Sequence, residues 1–580
     1  MLELLANYTR NHRLAARGFK PKHVRWAIVC DADGRFLSVV ELGDVGQKKN
    51  RGQVFPLCPE FERRAKQAGG MSEFLVDTAE VVALYGKEAQ TPKIKKKHEF
   101  FGSLLRDAGE VMPVLNLLAA LLDDQVELKK LRADLERSKA KPQAKITFQV
   151  SGIFPIESGV WHDWWRKRRQ TAIPAKTRKI AGKQMVCFGT GQATEPLERH
   201  PKVEGLADVG GLTMGDVLIG FDKEAFSSYG LEKSSNAAVS EEAAYAYRAT
   251  LNHLIAKNSQ KLAGARVVHW FKSEVKPQED PLAWLMVDEE EGELHAQQRA
   301  RDMLRGISEG RRPDLANNYY YALTLSGAGG RVMVRDWMEG PFEELAGNII
   351  RWFDDLAIIH RDGGRLALDP WFNSVMRSTV FGRTNREKAH NLPPQFVVKM
   401  WRVAVCCEPI PQAALGRALA RFKADIVDKD KPFDHARMGL MKAYFVRQER
   451  MKGGEPVMRP CVNEEHPSPA YHCGRLMAVL AKLQYAALGD VGAGVVQRYF
   501  AAASATPALV LGRLVRGGQF HLNKLDPGLS HWYEEQIGKV MCRLGDAAPP
   551  TLTLEEQSLF ALGYYHQWVD LRVKKSQENN

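Results

Sequence analysis

Cysteine is scarce in this sequence. Cys30, Cys58, Cys187, Cys406, Cys407, Cys461, Cys473 and Cys542 are the only eight in 580 residues, and no CxxC pair occurs. That argues against a disulfide framework and against a zinc ribbon. Cys461, His466, His472 and Cys473 form the one cluster to weigh as a metal site. Adjacent His472 and Cys473 point in different directions on a helix, so a packed helix start is expected there, and no metal. Long apolar runs are missing too. The closest, VMPVLNLLAALL at 111–122, is shorter than the roughly 18–20 residues of a membrane span and reads as a buried helix. The start, MLELLANYTRNHR, has no apolar run behind a basic stretch. A cleaved secretory signal is therefore not expected, and the expected location is the cytoplasm, with no membrane contact.

Catalytic signatures are absent in the same way. HRDGG at 360–364 is similar to a kinase catalytic loop, but no DFG and no proper Gly-rich loop accompany it. GTGQAT at 189–194 lacks the Lys-Ser/Thr ending of a P-loop, and HEF at 98–100 is not HExxH. Asp354-Asp355 begins no recognisable metal motif. The polar stretch NAAVSEEAAYAY at 236–247 offers Ser240, Glu241 and Tyr245 to a substrate on first sight. Local physics explains it without one: Ser240 suits an N-cap, Glu241 and Glu242 suit the positive end of a helix dipole, and the alanines are strong helix formers. The expectation is a protein without a catalytic site or cofactor. The alternative from another class is a metal-dependent nuclease built on His162 and Asp163 in VWHDWW. A third reading is a scaffold that touches only protein.

Charge is what the sequence does have. The net charge is +13, and residues 1–200 hold 35 Lys+Arg against 23 Asp+Glu, while residues 201–580 hold 47 against 46. The surplus therefore sits in the first third, which points to a polyanion partner on that part. Three clusters supply it. Lys48, Lys49, Asn50 and Arg51 lie between glycines in GQKKNRGQ, where the backbone can approach another backbone closely; Arg63, Arg64 and Lys66 follow on a helix-like stretch at 60–68. Lys93, Lys95, Lys96 and Lys97 make a basic loop in TPKIKKK. Arg166, Lys167, Arg168 and Arg169, with Arg178 and Lys179, form the third cluster, beside Trp161, Trp164 and Trp165 as stacking surfaces. Lys and Arg bind phosphates, Asn and Arg also read base edges, and aromatic rings stack on bases.

The pattern predicts an α+β chain. Residues 24–42 (VRWAIVCDADGRFLSVVEL) read as a β-hairpin around Asp-Ala-Asp-Gly, 99–138 as a helical hairpin, 146–155 as strand, and 185–221 as short strands with Gly-rich turns. DEEEGE at 288–293 reads as an exposed loop, and 319–337 as a strand pair around a Gly-rich turn. MKGGEPVMRP at 451–460 is the best linker candidate. Beyond it, Leu476, Leu480, Leu483 and Ala487 share a helix face. Thr506-Pro507 supplies an N-cap and a first-turn proline, and Thr553 with Glu556 a capping box. The expected regions are a basic α+β part at 1–240, a mixed to helical part at 241–455, and a helical bundle of five or so helices at 456–580. No 20–50-residue repeat is visible.

Several long blocks in order carry a resemblance. They are HPKVEGL (200–206), FDKEAFSSYG (221–230), NAAVSEEAAYAYRATLN (236–252), LSGAGGRVMVRDW (325–337), AYHCGRLMAVLAKLQ (470–484) and LGYYHQW (562–568). Through them most of the chain resembles the large subunit of type I-C CRISPR Cascade complexes, RNA-guided DNA surveillance effectors of bacteria. One departure is visible. Where the family tends to have an Asn-Ala-Ala-Arg turn, this chain has Gly327-Ala328-Gly329-Gly330-Arg331, which keeps the Arg and lacks the Asn.

The resemblance implies a non-catalytic subunit near the 5′ end of the guide RNA, beside the subunit holding that end and in contact with backbone and small subunits. It implies recognition of a protospacer-adjacent motif in duplex DNA, help in opening the duplex to form an R-loop, a hold on the displaced strand, and a surface for a recruited helicase–nuclease. It also implies that the carboxy-terminal bundle is similar to a Cascade small subunit, one that is in this family also made separately from an internal start; Met451 and Met458 are the candidate starts. Base pairing with the guide then supplies most specificity, and the protein reads only the flanking motif. On that frame Lys48–Arg51 is the first choice for entering a groove at the motif, and Arg63, Arg64 and Lys66 for anchoring nearby phosphates. Arg475, Lys482, Arg498 and Lys524 are the choices for tracking the displaced strand along the bundle.

Overall fold

The computed structural model describes residues 1–12, 14, 18–44, 50–61, 71–171, 184–197, 199–221, 223–227, 230–286, 296–428, 433–545 and 547–578. The chain forms two compact units, Met1–Lys257 with Gly327–Val332, and Asn258–Ser326 with Met333–Asn580.

In the first unit α1 (Leu2–Asn11) precedes four strands, β1 (Phe19–Val24), β2 (Trp26–Cys30), β3 (Phe36–Glu41) and β4 (Gln53–Pro59). β1 and β4 pair antiparallel, and β2 and β3 form the expected hairpin. Its turn is fixed by Asp31, whose carboxylate accepts the N–H groups of Asp33 (3.0 Å) and Arg35 (2.8 Å). β5 (Asp77–Thr78) and β6 (Lys145–Val150) complete a sheet of order β3-β2-β6-β5, in which β6 runs parallel to β2.

Between β5 and β6 the expected helical hairpin is three helices, α2 (Pro92–Ala108), α3 (Val114–Asp123) and α4 (Gln125–Arg137). The extra break comes at Asp124, whose carboxylate caps α4 by accepting the N–H of Val126 at 2.7 Å. TPKIKKK, expected as a loop, is the start of α2: Pro92 supplies a preset φ where no N–H is needed, and Ile94 is buried. α5 (His162–Thr171) follows, then the short strands β7 (Met185–Val186), β8 (Ala193–Thr194), β9 (Lys202–Val203) and β10 (Asp216–Val217), and α6 (Glu241–Lys257). Ser240 caps α6 as expected, its Oγ accepting the Ala243 N–H at 3.1 Å.

The second unit opens with β11 (Ser259–Leu262), β12 (Ala265–Phe271) and α7 (Ala296–Ser308). β13 (Tyr319–Ala328) and β14 (Arg331–Pro341) are the expected strand pair, and the strands run in the order β11-β12-β13-β14. The rest is helical: α8 (Phe342–Leu356), α9 (Phe372–Arg377), α10 (Asn385–Asn391), α11 (Pro394–Val405), α12 (Gln412–Asp425) and α13 (His435–Met451), then α14 (Pro469–Leu488), α15 (Val495–Ala505), α16 (Pro507–Leu522), α17 (Pro527–Cys542) and α18 (Leu554–Glu578). The fold is thus α+β with strands concentrated early and a carboxy-terminal bundle, as the pattern predicts.

Residues 452–468, which include most of the Gly/Pro stretch expected as a linker, are non-helical, yet they are packed. Met458 is in the core and Pro460 accepts the Ile359 N–H at 2.9 Å. The bundle shares one continuous core with the preceding helices: Phe500 of α15 lies on Phe422 of α12, and Tyr565 of α18 on Phe433. α14 and α18 approach backbone to backbone. A Cβ at Gly474 would collide with the Phe560 carbonyl, and one at Gly563 with that of Tyr471, so only glycine permits this crossing. Two local expectations divide. Thr553 and Glu556 form the capping box, with Thr553 N–H on Glu556 at 2.8 Å. Thr506 instead turns back, its hydroxyl donating to the Ala502 carbonyl at 3.1 Å; it closes α15 rather than opening α16. Among the described residues no helix is long and apolar enough to cross a membrane.

Candidate nucleic-acid interface

The start of α2 gathers Lys93, Lys95, Lys96 and Lys97. The first three are exposed and Lys97 is half-buried, because Ile94, Phe101, Leu104 and Leu105 turn the other face of the helix into the core. Among the described residues none of the four has a hydrogen-bond or ion-pair partner. Cations at a helix start oppose the positive end of the dipole, each by about 0.3–1 kcal/mol. A helix arranged only for its own stability would carry acids here. Lysines and dipole together give this end a positive field.

The Gly-flanked loop fares differently. Lys48 and Lys49 lie outside the described residues, as do Arg63, Arg64, Lys66, Arg178, Lys179, most of the helix-like stretch at 60–68, and DEEEGE. Arg51 is exposed. Asn50 is committed to its own loop: its amide donates to Glu41 (3.1 Å) and the Leu42 carbonyl (3.0 Å) and accepts the Gly52 N–H (2.8 Å). No donor or acceptor pair is left to read a base edge. Gly52 has φ +85°, and a Cβ there would strike the Val24 carbonyl. Its missing side chain serves a close approach to the protein's own strand, not to another backbone.

The third cluster divides along α5. Trp161 and Trp165 are fully buried, their indoles donating to the carbonyls of Pro155 and Gly18, both at 2.9 Å. They are core, not stacking platforms; Trp164 is half-buried against Phe74. Arg169 is buried, paired with Glu241 at 2.6 Å and set over the Tyr245 ring, so it presents no charge to a ligand. Thus two of the polar residues that suggest a pocket at 236–247 hold an internal ion pair and its ring. Arg168 reaches Asp107 at 3.3 Å and Arg166 reaches Asp163 at 2.5 Å. Only Lys167 is exposed with no partner among the described residues. His162 and Asp163 part company. His162 packs on Phe19 and Trp161, and burial, with Arg166 nearby, lowers its pKa. Asp163 turns to water and Arg166.

On the bundle, Arg475 is buried, donating to Gln567 at 2.7 Å and to His472 Nδ1 at 3.2 Å. It is a structural cation, and α14 cannot offer it to a strand because nearly its whole first half is enclosed. Arginine can only donate, so His472 Nδ1 accepts and its Nε2–H donates to the His466 carbonyl at 2.6 Å. Cys461 is exposed and Cys473 buried. Among the described residues no three His, Cys, Asp or Glu side chains are placed to hold a metal ion. Lys482 lies with its ammonium 4.9 Å from the centre of the Trp568 ring. Arg498 and Lys524 are exposed. Asp355 is buried between Arg447 (2.8 Å) and Arg450 (2.5 Å), and Asp354 pairs with Arg301 (2.8 Å).

A family model described as CRISPR-associated protein (Cas_Csd1) matches residues 3–572. The chain belongs to the Cas_Csd1 family. No curated protein matches it. This is the type I-C large-subunit family that the sequence blocks resemble, and it makes the chain a subunit of a CRISPR effector complex.

Two features of this Cas_Csd1 chain escape a reading of charge clusters. Two of its blocks meet in the first unit: Arg331 lies over the Phe226 ring at 5.4 Å, and its strand pairs with Val217 of β10. The other is a stripe on α16. Leu509, Arg513, Arg516 and Phe520 recur at helical spacing and are all exposed, Phe520 by 72% and Leu509 by 67%. That spacing is legible in the sequence, but four residues spread over three turns do not register as a cluster.

Proposed function

We propose that this Cas_Csd1 chain is the non-catalytic, DNA-contacting large subunit of its complex. It grips target duplex beside the protospacer-adjacent motif through the cations of the first unit, helps open the duplex into an R-loop, and steadies the displaced strand along the bundle. It works beside the guide-bearing subunits and offers a surface to a helicase–nuclease. The observation that carries this is the start of α2, where Lys93, Lys95 and Lys96 stand exposed, with no ion-pair partner among the described residues, at the end of a helix that already attracts anions. Support for the bundle's part comes from the α16 stripe, with Arg498 and Lys524 also exposed. Cations interleaved with exposed apolar side chains suit an unpaired strand, whose bases need a surface to lie on.

The test is the reconstituted complex with Lys93→Ala/Lys95→Ala/Lys96→Ala. Gel shifts on target duplex are expected to show weaker capture, and a permanganate footprint less strand opening in proportion. Unchanged capture across a salt series would remove α2 from the interface. A second assay addresses catalysis: the purified chain with DNA and Mg²⁺ or Mn²⁺ is expected to leave the DNA intact. Cleavage that disappears in His162→Ala would replace this reading with a nuclease.

A further inference from the structure

The second unit contains a cavity of about 690 Å³ lined by Lys261, Arg377, Arg386 and His390. Among the described residues Glu387 is the one carboxylate in its wall; it is exposed, accepts the Arg383 N–H at 2.8 Å, and is outnumbered by Lys261, Arg377 and Arg386. The cavity is therefore electropositive, and low-dielectric walls concentrate that field. Phe381 also lines it and is 61% exposed. An aromatic ring in water on a loose loop would mean little. This loop is pinned: the Asn391 amide donates to the Phe381 carbonyl at 2.9 Å, and the Thr384 hydroxyl accepts the Glu387 N–H at 3.2 Å. The Arg421 guanidinium lies over the Phe381 ring at 5.2 Å.

A fixed, exposed ring beside arginines in a concave site has two complementary needs, a flat π surface and an anion. An unpaired nucleotide carries both, whereas a duplex hides its base faces. We propose that this cavity takes one unpaired nucleotide of a nucleic-acid strand, with its phosphate between Arg377 and Arg386 and its base on Phe381. This rests on the reading of the chain as a nucleic-acid-contacting subunit, and adds to it a strand site remote in sequence from α2 and from the bundle.

The full-length chain is titrated with fluorescent, unstructured deoxy- and ribo-oligonucleotides, and separately with duplex DNA. Phe381→Leu is expected to weaken strand binding about tenfold, and Phe381→Trp to restore it. Arg377→Gln/Arg386→Gln is expected to lower the salt slope for strand binding by about 0.7, one single-strand phosphate, with duplex binding unchanged in every variant. The deoxy and ribo arms tell which strand is preferred. If the parent binds strand and both variants match it, the cavity is not the site, while the proposed function stands. If the parent binds duplex but no strand, the same holds. If it binds neither, both fail. Displacement of the oligonucleotide by polyglutamate at equal charge would overturn the nucleotide assignment in favour of an acidic polypeptide. Phe381 is exposed, so equal melting temperatures for parent and Phe381→Leu are the expected control.

Discussion

Lys93, Lys95 and Lys96 of α2 stand in water with no carboxylate partner among the described residues, whereas Arg475 of α14 is buried and holds Gln567 and His472. Both sets sit in stretches that a count of charges marks as candidates for DNA. What separates them is what each helix packs against. α2 buries one face and leaves the other to solvent. α14 is the central helix of its bundle, enclosed on most sides by α16, α17 and α18, so a cation in its first half has only protein to meet. The same division runs through α5, where Lys167 is exposed and Arg169, two residues on, is sealed against Glu241. A cation's work is set by the burial of its own helix face, not by the density of basic residues around it.

The largest effects are expected where a charge is buried. Asp355→Ala would leave Arg447 enclosed with its carboxylate gone, and is expected to cost about 3–5 kcal/mol of stability in a urea melt. Arg475→Ala strips partners from Gln567 and His472 and is expected to cost about 2–3 kcal/mol. In the assembled complex, neither should alter the salt slope of DNA capture while the fold persists. A stable Arg475→Ala chain that captures DNA poorly would break the comparison, since it would put a buried cation to work on the ligand.

How much of this was legible in the sequence follows from the range of the forces involved. The β2–β3 hairpin, the Ser240 cap and the Thr553–Glu556 box were readable because each is decided within a few residues. The family was readable because long blocks persist in order. What failed was anything decided at a distance. The tryptophans of VWHDWW look like stacking surfaces until Phe19, Phe61 and Phe74 close over them. Asn50 looks like a base reader until Glu41, on the neighbouring strand, takes its amide. The α2 start was misread locally: three lysines in a row suggest a loop, but Pro92 and the buried Ile94 outweigh the adverse dipole.

An intermediate effect is expected from acid. Burial lowers the His466 pKa to about 4 and that of His566, also near Lys442, to about 3. An unfolded histidine titrates near 6.5. As the pH falls below about 6.5 the unfolded chain takes up protons that the folded chain refuses, so stability falls steadily toward about pH 4. Melting temperatures of the second unit's cooperative transition are expected to drop between pH 7 and pH 5. A flat profile over that range would mean that these rings meet water or a carboxylate that the buried network does not contain. DNA capture through the α2 lysines should weaken only as far as the fold does. The pH series therefore separates the buried polar network from the exposed cations without any substitution.

The smallest effect has the most telling sign. Lys93→Ala/Lys96→Ala removes two charges from the unfavourable end of the helix dipole and installs the best helix former in their place. The fold is expected to gain about 0.5–1 kcal/mol, read as a slightly higher urea midpoint, while the salt slope for duplex binding falls by roughly two. Stability and binding should thus move in opposite directions. Residues kept for the fold cannot behave this way, because removing a structural cation lowers both together. A double variant that is less stable, or that binds duplex with an unchanged slope, would show that these lysines serve α2 itself, and the contrast with Arg475 would vanish.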